Sequence, residues 1–182
     1  DGIVNVVPTM VARSFFDDHF PVMMHGSGEP RSHLTFYAQQ AAALRRRLVG
    51  ARTILDVGCG PKLEYERPPE SVLLGIDLSY ESLRHNRDVD VRLYGSATSL
   101  PLPPRSVDAI VCFYSLHHLV GQTVDENEAL VRRVLSEFAR VLRPGGDLLV
   151  FEVAPWWPAW VVQRLAWNLV RRRLKKSLDM FF

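Results

Sequence analysis

The stretch Ile54-Leu-Asp-Val-Gly-Cys-Gly-Pro-Lys62 decides the fold, because an apolar run meets a carboxylate, Asp56, and then bends through two glycines separated by one residue. A second stretch, Leu73-Leu-Gly-Ile-Asp77-Leu-Ser79, repeats the form: an apolar run stops at an acid. Both read as strands, and the turn Gly58-Cys59-Gly60 lies where the first strand ends. Glycines let a backbone approach a ligand closely and present its N–H groups, and a helix starting after the turn would add a partial positive charge.

Working outward, Ser32 caps a helix whose apolar positions include Leu34, Tyr37, Ala41, Leu44 and Leu48, closed by Gly50. A strand over 53–57 follows. Pro68-Pro69 stops any helix begun after Gly60, so only a short one fits before the strand over 72–76. Ser79 caps another short helix, 91–94 is a third strand, and the nearly all-apolar 109–113 is a fourth, buried on both faces. Thr123-Val-Asp-Glu126 has the form of a capping box ahead of a helical stripe of Leu130, Val134, Leu135, Phe138, Val141 and Leu142. Pro144-Gly145-Gly146 ends that helix, and 147–152 is a fifth strand. Strands alternating with helices over short connections predict an α/β fold: a Rossmann-like, doubly wound, mostly parallel sheet with helices on both faces.

Composition agrees with one globular domain. The chain has 182 residues, 47% apolar and 23% charged, long enough to bury roughly 70% of its unfolded surface. Cys59 and Cys112 stand 53 residues apart with no C-x-x-C and no clustered histidines, so neither a disulfide framework nor a metal site is expected. A reducing, cytoplasmic setting is expected, since no apolar stretch has the length of a membrane span and no signal region opens the chain, which begins at Asp1. The formal charge of +2 is uneven: residues 154–182 carry +5 and residues 1–153 carry −3.

Open parallel sheets bind ligands at the carboxyl ends of their strands, where strand order reverses. Asp77 ends the second strand 17 residues after Gly60, a place from which a carboxylate accepts both hydroxyls of an adenosine ribose. The plainer alternatives are an ordinary strand-to-helix turn and a solvated turn aspartate. Leu63 stands where a dinucleotide fingerprint needs its third glycine, and no phosphate-binding G-x-x-x-x-G-K motif occurs, so NAD and nucleoside triphosphates are disfavoured. S-adenosylmethionine has the ribose and adenine without the phosphates.

The sequence resembles the class I S-adenosylmethionine-dependent methyltransferases, in the branch containing small-molecule and quinone methyltransferases. The matching stretches are Ile54-Leu-Asp-Val-Gly-Cys-Gly60, Gly75-Ile-Asp-Leu-Ser79, Gly95-Ser-Ala-Thr-Ser-Leu-Pro101, Ser106-Val-Asp-Ala-Ile-Val111, Ser115-Leu-His-His-Leu119 and Arg140-Val-Leu-Arg-Pro-Gly-Gly-Asp-Leu-Leu149. They keep the family's order and spacing over about residues 52–153. The resemblance implies that Gly58, Cys59 and Gly60 border the methionine part of the cofactor and that Asp56 helps position its ammonium group. Asp77 would hold the ribose, Leu78 would pack on adenine, Ser96 and Ala97 would line the adenine edge, and Phe113, Tyr114 and Ser115 would face the sulfonium. Many relatives carry an acid at the place of Ser96 and a further glycine at that of Lys62, so the adenine contact is expected to be weaker here, and Lys62 reads as a solvated loop residue. S-adenosylhomocysteine would be the product.

Methyl transfer from a sulfonium needs an oriented nucleophile and excluded water, with a general base optional. His117 and His118 follow the fourth strand, where either could accept a proton from an oxygen nucleophile; the alternative is that they cap or pack the loop. Within one methyltransferase domain, residues 1–50 are expected to supply a lid and cap helix, 51–153 the cofactor core and 154–182 a Trp-rich, basic amphipathic helix. Phe15-Phe-Asp-Asp-His-Phe-Pro-Val-Met-Met-His-Gly26 could cover an apolar small-molecule substrate, and Tyr37 could reach the cofactor carboxylate or pack in the core. The family's C-terminal edge hairpin is missing before Leu178-Asp-Met-Phe-Phe182, so an incomplete chain is expected. The helix over 156–178 reads as an active-site cover or a homodimer contact, with peripheral membrane contact as the alternative. Its five cations within 171–176 would attract phosphates, but no recognition motif accompanies them, which argues against nucleic acid.

Overall fold

The computed structural model describes residues 2–5, 35–121, 123–152 and 156–173. Its strands are β1 (Ile3–Asn5), β2 (Thr53–Val57), β3 (Val72–Asp77), β4 (Val91–Tyr94), β5 (Val107–Phe113) and β6 (Leu142–Phe151). Its helices are α1 (Thr35–Arg47), α2 (Tyr80–His85), α3 (Val124–Val141) and α4 (Trp157–Arg173). The six strands form one sheet in the order β1-β4-β3-β2-β5-β6, every neighbouring pair parallel. From β2 the chain moves outward to β3 and β4, then returns to β5 on β2's other side. Strand order therefore reverses between β2 and β5, which opens a crevice at their carboxyl ends.

Alternation along the strands sends successive side chains to opposite faces. Leu44 of α1 and Leu48, just after the helix, cover Ile54, Leu73, Ala109 and Val111 on one face. Val134, Phe138 and Val141 of α3 cover Leu55, Val57, Ile76, Ile110 and Cys112 on the other. Ser79 caps α2 as expected, its side chain accepting from the Ser82 N–H at 3.0 Å. The capping box of α3 is also formed: Thr123 Oγ1 accepts from the Glu126 N–H at 3.2 Å, and Glu126 Oε2 accepts from the Thr123 N–H at 3.3 Å. Thr123→Ala is expected to lower unfolding free energy by about 1 kcal/mol, the usual worth of an N-cap; urea denaturation measures it.

Four details differ from the sequence reading. No helix follows Gly60: residues 61–71 run as turns and bends, pinned by the Leu63 N–H on Asp88 at 2.9 Å and by Arg67 on Asp90. Pro68-Pro69 leaves too little backbone after the turn for a stable helix. Ile3–Asn5 joins the sheet as an edge strand paired with β4. Leu135 falls off the buried stripe of α3, 41% exposed, because the buried positions run through Val134, Phe138 and Val141. Finally, α3 ends before Pro144, since that proline disfavours helical backbone at Arg143. Pro144-Gly145-Gly146 becomes a bulge inside β6, whose pairing jumps from Val107↔Leu142 to Ala109↔Asp147.

Helix α4 touches α3, joined by an Arg164–Glu128 ion pair; Trp167 of α4 is buried, and Arg164 also lies over Trp160 at 5.4 Å. Trp156, Trp157 and Leu165 are largely exposed. Among the described residues no helix is long and apolar enough to cross a membrane. Ser32, the segment 15–26, the side chain of Tyr37 and the basic residues Lys175 and Lys176 lie outside the described residues.

Candidate functional site

A cleft of about 200 Å³ opens at the carboxyl ends of β2 through β5. Val57, Gly58 and Gly60 form its floor, Asp77, Leu78 and Ser79 the end of β3, and Gly95, Ser96 and Ala97 the end of β4. Beyond β5, Tyr114, Ser115, His118 and Leu119 close it. Nine of the expected site residues thus meet here: Gly58, Gly60, Asp77, Leu78, Ser96, Ala97, Tyr114, Ser115 and His118.

The turn works differently from its sequence reading. Gly58 and Gly60 take left-handed backbone at φ 70 and 58, which glycine adopts without steric cost. Their N–H groups face protein acceptors: Gly58 N–H donates to the Ile76 carbonyl at 2.8 Å, and Gly60 N–H donates to Asp77 Oδ2 at 2.9 Å. Asp77 Oδ1 accepts from the Ser79 N–H at 2.7 Å. The carboxylate so ties the tips of β2 and β3 together. A side chain on Gly60 would meet nothing within 4 Å, so the cleft comes up to bare backbone. At Gly58 the opposite holds: a Cβ would lie 2.0 Å from Ser115 Oγ.

Asp56, Cys59, Phe113 and His117 are not among the cleft's lining residues. Asp56 is buried and accepts from the Tyr65 hydroxyl at 3.0 Å. Burial pushes its carboxyl up to about 7, with the Tyr65 hydrogen bond opposing and the Asp77 charge adding to the rise. The Cys59 thiol fills the space over Gly75, where a Cβ would stand 2.7 Å from its Sγ, and burial raises that thiol well above its ordinary range. Phe113 packs edge-on against Tyr114 at 4.8 Å and at a tilt against Phe151 at 5.2 Å.

The two histidines separate. His118 lines the cleft, whereas His117 Nδ1 lies 2.8 Å from Glu152 Oε2. Glu152 also accepts the Leu116 N–H, so one carboxylate pins the 3₁₀ turn Leu116–His118 from two sides. Burial alone would raise the Glu152 carboxyl; the bonds from His117 and the Leu116 amide more than offset it and hold the group below the usual range. The His117 and His118 rings stand 4.1 Å apart.

The sequence reading did not name Gln40, Tyr65, Thr98 or Glu152 as site residues. Gln40 Nε2 of α1 donates to the Tyr114 hydroxyl at 2.8 Å, while its Oε1 is buried without a partner. Tyr114 itself holds φ 50, an uncommon conformation for a bulky residue. Ser96 Oγ shares a 2.8 Å hydrogen bond with Thr98 Oγ1. Glu152 carried a usable signal, for it ends the apolar run 148–151 as Asp77 ends 73–76.

A family model described as a methyltransferase domain matches residues 55–150. A probable S-adenosylmethionine-dependent methyltransferase of Mycolicibacterium smegmatis is 34% identical over 113 residues, covering 59% of this chain and 40% of that protein. The 27-O-demethylrifamycin SV methyltransferase of Amycolatopsis mediterranei is 32% identical over 107 residues, covering 52% of this chain and 36% of that protein. The chain therefore spans less than half the length of these curated relatives. The crystal structure of a Thermotoga maritima S-adenosylmethionine-dependent methyltransferase, a possible histamine N-methyltransferase, shares the fold with a TM-score of 0.54 at 23% identity. That likeness covers 74% of this chain and 58% of the other.

Proposed function

We propose a function from one premise: the chain belongs to the class I S-adenosylmethionine-dependent methyltransferases, and it transfers a methyl group to an oxygen, nitrogen or carbon of a small, apolar or ring-bearing molecule. The observation that carries this reading lies inside the matched segment, where Asp77 and the Gly58–Gly60 turn meet at the mouth of one cleft. The residues fit the cofactor: a carboxylate at the cleft mouth stands beside backbone at Gly60 that no side chain screens. The acceptor in the rifamycin relative's name supports a small-molecule substrate.

The cofactor supplies a methyl group on a sulfonium, which is a good leaving group. Asp77 would hold the ribose hydroxyls, Leu78 and Ala97 would pack on the base, and the Ser96–Thr98 hydroxyl pair would meet its edge. Ser96 replaces the carboxylate of many relatives with a group that both donates and accepts. At the other end Tyr114, Ser115 and Leu119 orient the acceptor and exclude water. His118, on the cleft wall, receives the proton of an oxygen or nitrogen nucleophile. His117 and Glu152 hold the turn that presents it. The two cysteines, both unpaired and buried, support a reducing, cytoplasmic setting.

Incubation with S-adenosylmethionine carrying a tritiated methyl group and a small-molecule extract is expected to label a metabolite. The same cofactor and S-adenosylhomocysteine should raise the melting temperature. Stabilisation by NAD in their place, or no labelled product, would contradict the reading.

A further inference from the structure

Asp56 is an acid of the site region that the cleft does not contact, and its surroundings are unusual. It is 3% exposed, on the strand that continues directly into the cleft floor at Val57 and Gly58. Among the described residues, the groups that face it offer no cation. β3 brings Asp77, β5 brings Cys112, the turn brings Cys59 and the segment after it brings Tyr65. Of the basic residues closing α1, Arg45 pairs outward with Glu66 and Arg47 with Asp147, and Arg46 is exposed. A buried carboxylate without a countercharge is costly. Such a site is completed by a cation from outside, and a bound amino-acid group above the floor brings one.

Tyr65 reaches Asp56 because residues 61–71 form turns and bends, which let the chain fold back over the α1 face of β2. Resting on the reading of the cleft as an S-adenosylmethionine site, we propose that Tyr65 is a positioning residue, its hydroxyl holding the Asp56 carboxylate beneath the glycine turn as the buried countercharge for the cofactor's ammonium group. Cofactor binding then draws Asp56 into its ionised form, and the proton passes to the buffer. Affinity rises with pH while Asp56 in the free protein still holds its proton, and it levels once that proton is gone. Removing the Tyr65 hydroxyl takes away a bond that favours the anion, so the same rise moves to higher pH.

The test is calorimetry of S-adenosylhomocysteine binding from about pH 5.5 to about pH 7.5 in buffers of different ionisation enthalpy, on the wild-type chain and on Tyr65→Phe. Methylthioadenosine, which has the nucleoside but no amino-acid group, runs alongside. Phenylalanine keeps the ring that packs with Ile54 and Leu73, and a melting curve checks the fold. Wild type should release protons and bind more tightly as pH rises. Tyr65→Phe should bind about tenfold more weakly at about pH 6 and recover at higher pH, since a hydrogen bond to a charged group is worth about one to two pKa units. Methylthioadenosine should bind both proteins alike at every pH. An equal loss at all pH values, an equal loss with methylthioadenosine, or no proton release by wild type would overturn the role of Tyr65 and Asp56. Failure of wild type to bind either nucleoside would remove the cofactor reading on which it rests.

Discussion

Gly58→Ala is expected to weaken S-adenosylhomocysteine binding by about a hundredfold or more. The added Cβ would stand 2.0 Å from Ser115 Oγ and 2.6 Å from Ser115 Cβ, on backbone at φ 70. Left-handed backbone costs a non-glycine residue about 1–2 kcal/mol, and overpacking costs about 1–3 kcal/mol more. Relief comes from moving Ser115, which lines the cleft and leads into the turn Leu116–His118. Gly60→Ala separates the two costs. Its Cβ meets nothing within 4 Å and its backbone sits at φ 58, so the fold bears the backbone strain alone while the new methyl group stands where a ligand would approach. Calorimetry with melting curves should therefore show Gly58→Ala losing both binding and stability, and Gly60→Ala losing binding with a smaller drop in melting temperature. Unchanged affinity in both variants would remove the glycine turn from the site.

Asp77→Ala is expected to weaken cofactor binding by about 1.5–3 kcal/mol, the worth of hydrogen bonds to a charged group, or roughly tenfold to 150-fold. The loss has a second origin, because the same carboxylate accepts the Gly60 and Ser79 amides at 2.9 and 2.7 Å. Without it two part-buried N–H groups lose their acceptor and the turn loses its tether to β3. Asp77→Asn keeps one acceptor oxygen, so it should retain more stability than alanine while still losing most of the cofactor affinity expected of Asp77. Full affinity in Asp77→Ala by calorimetry would exclude Asp77 from the ribose.

The glycine turn, the two acids and the strands around them were legible in the sequence because each is a local pattern. An apolar run with a break at its end needs no partner to be recognised, and the capping box of α3 depends on four consecutive residues. What escaped depends on contacts between distant positions. Three residues at Ile3–Asn5 become a strand only because β4 offers an edge. Tyr65 reaches Asp56 through a segment whose path is set by Asp88 and Asp90, 25 and 23 residues away from Leu63 and Arg67. Glu152 finds His117 across 35 residues, and Gln40 finds Tyr114 across 74. Cys59 and Phe113 sit beside the cleft in sequence, but their side chains pack into the protein, a choice that local pattern does not decide.

Crystals of the chain grown with S-adenosylhomocysteine test the cleft most directly. The ribose hydroxyls are expected within hydrogen-bond distance of Asp77, the base beside Leu78 and Ala97, and the sulfur toward Tyr114 and His118. A nucleoside bound away from the tips of β2 and β3, or a cleft without density for it at saturating concentration, would contradict the assignment.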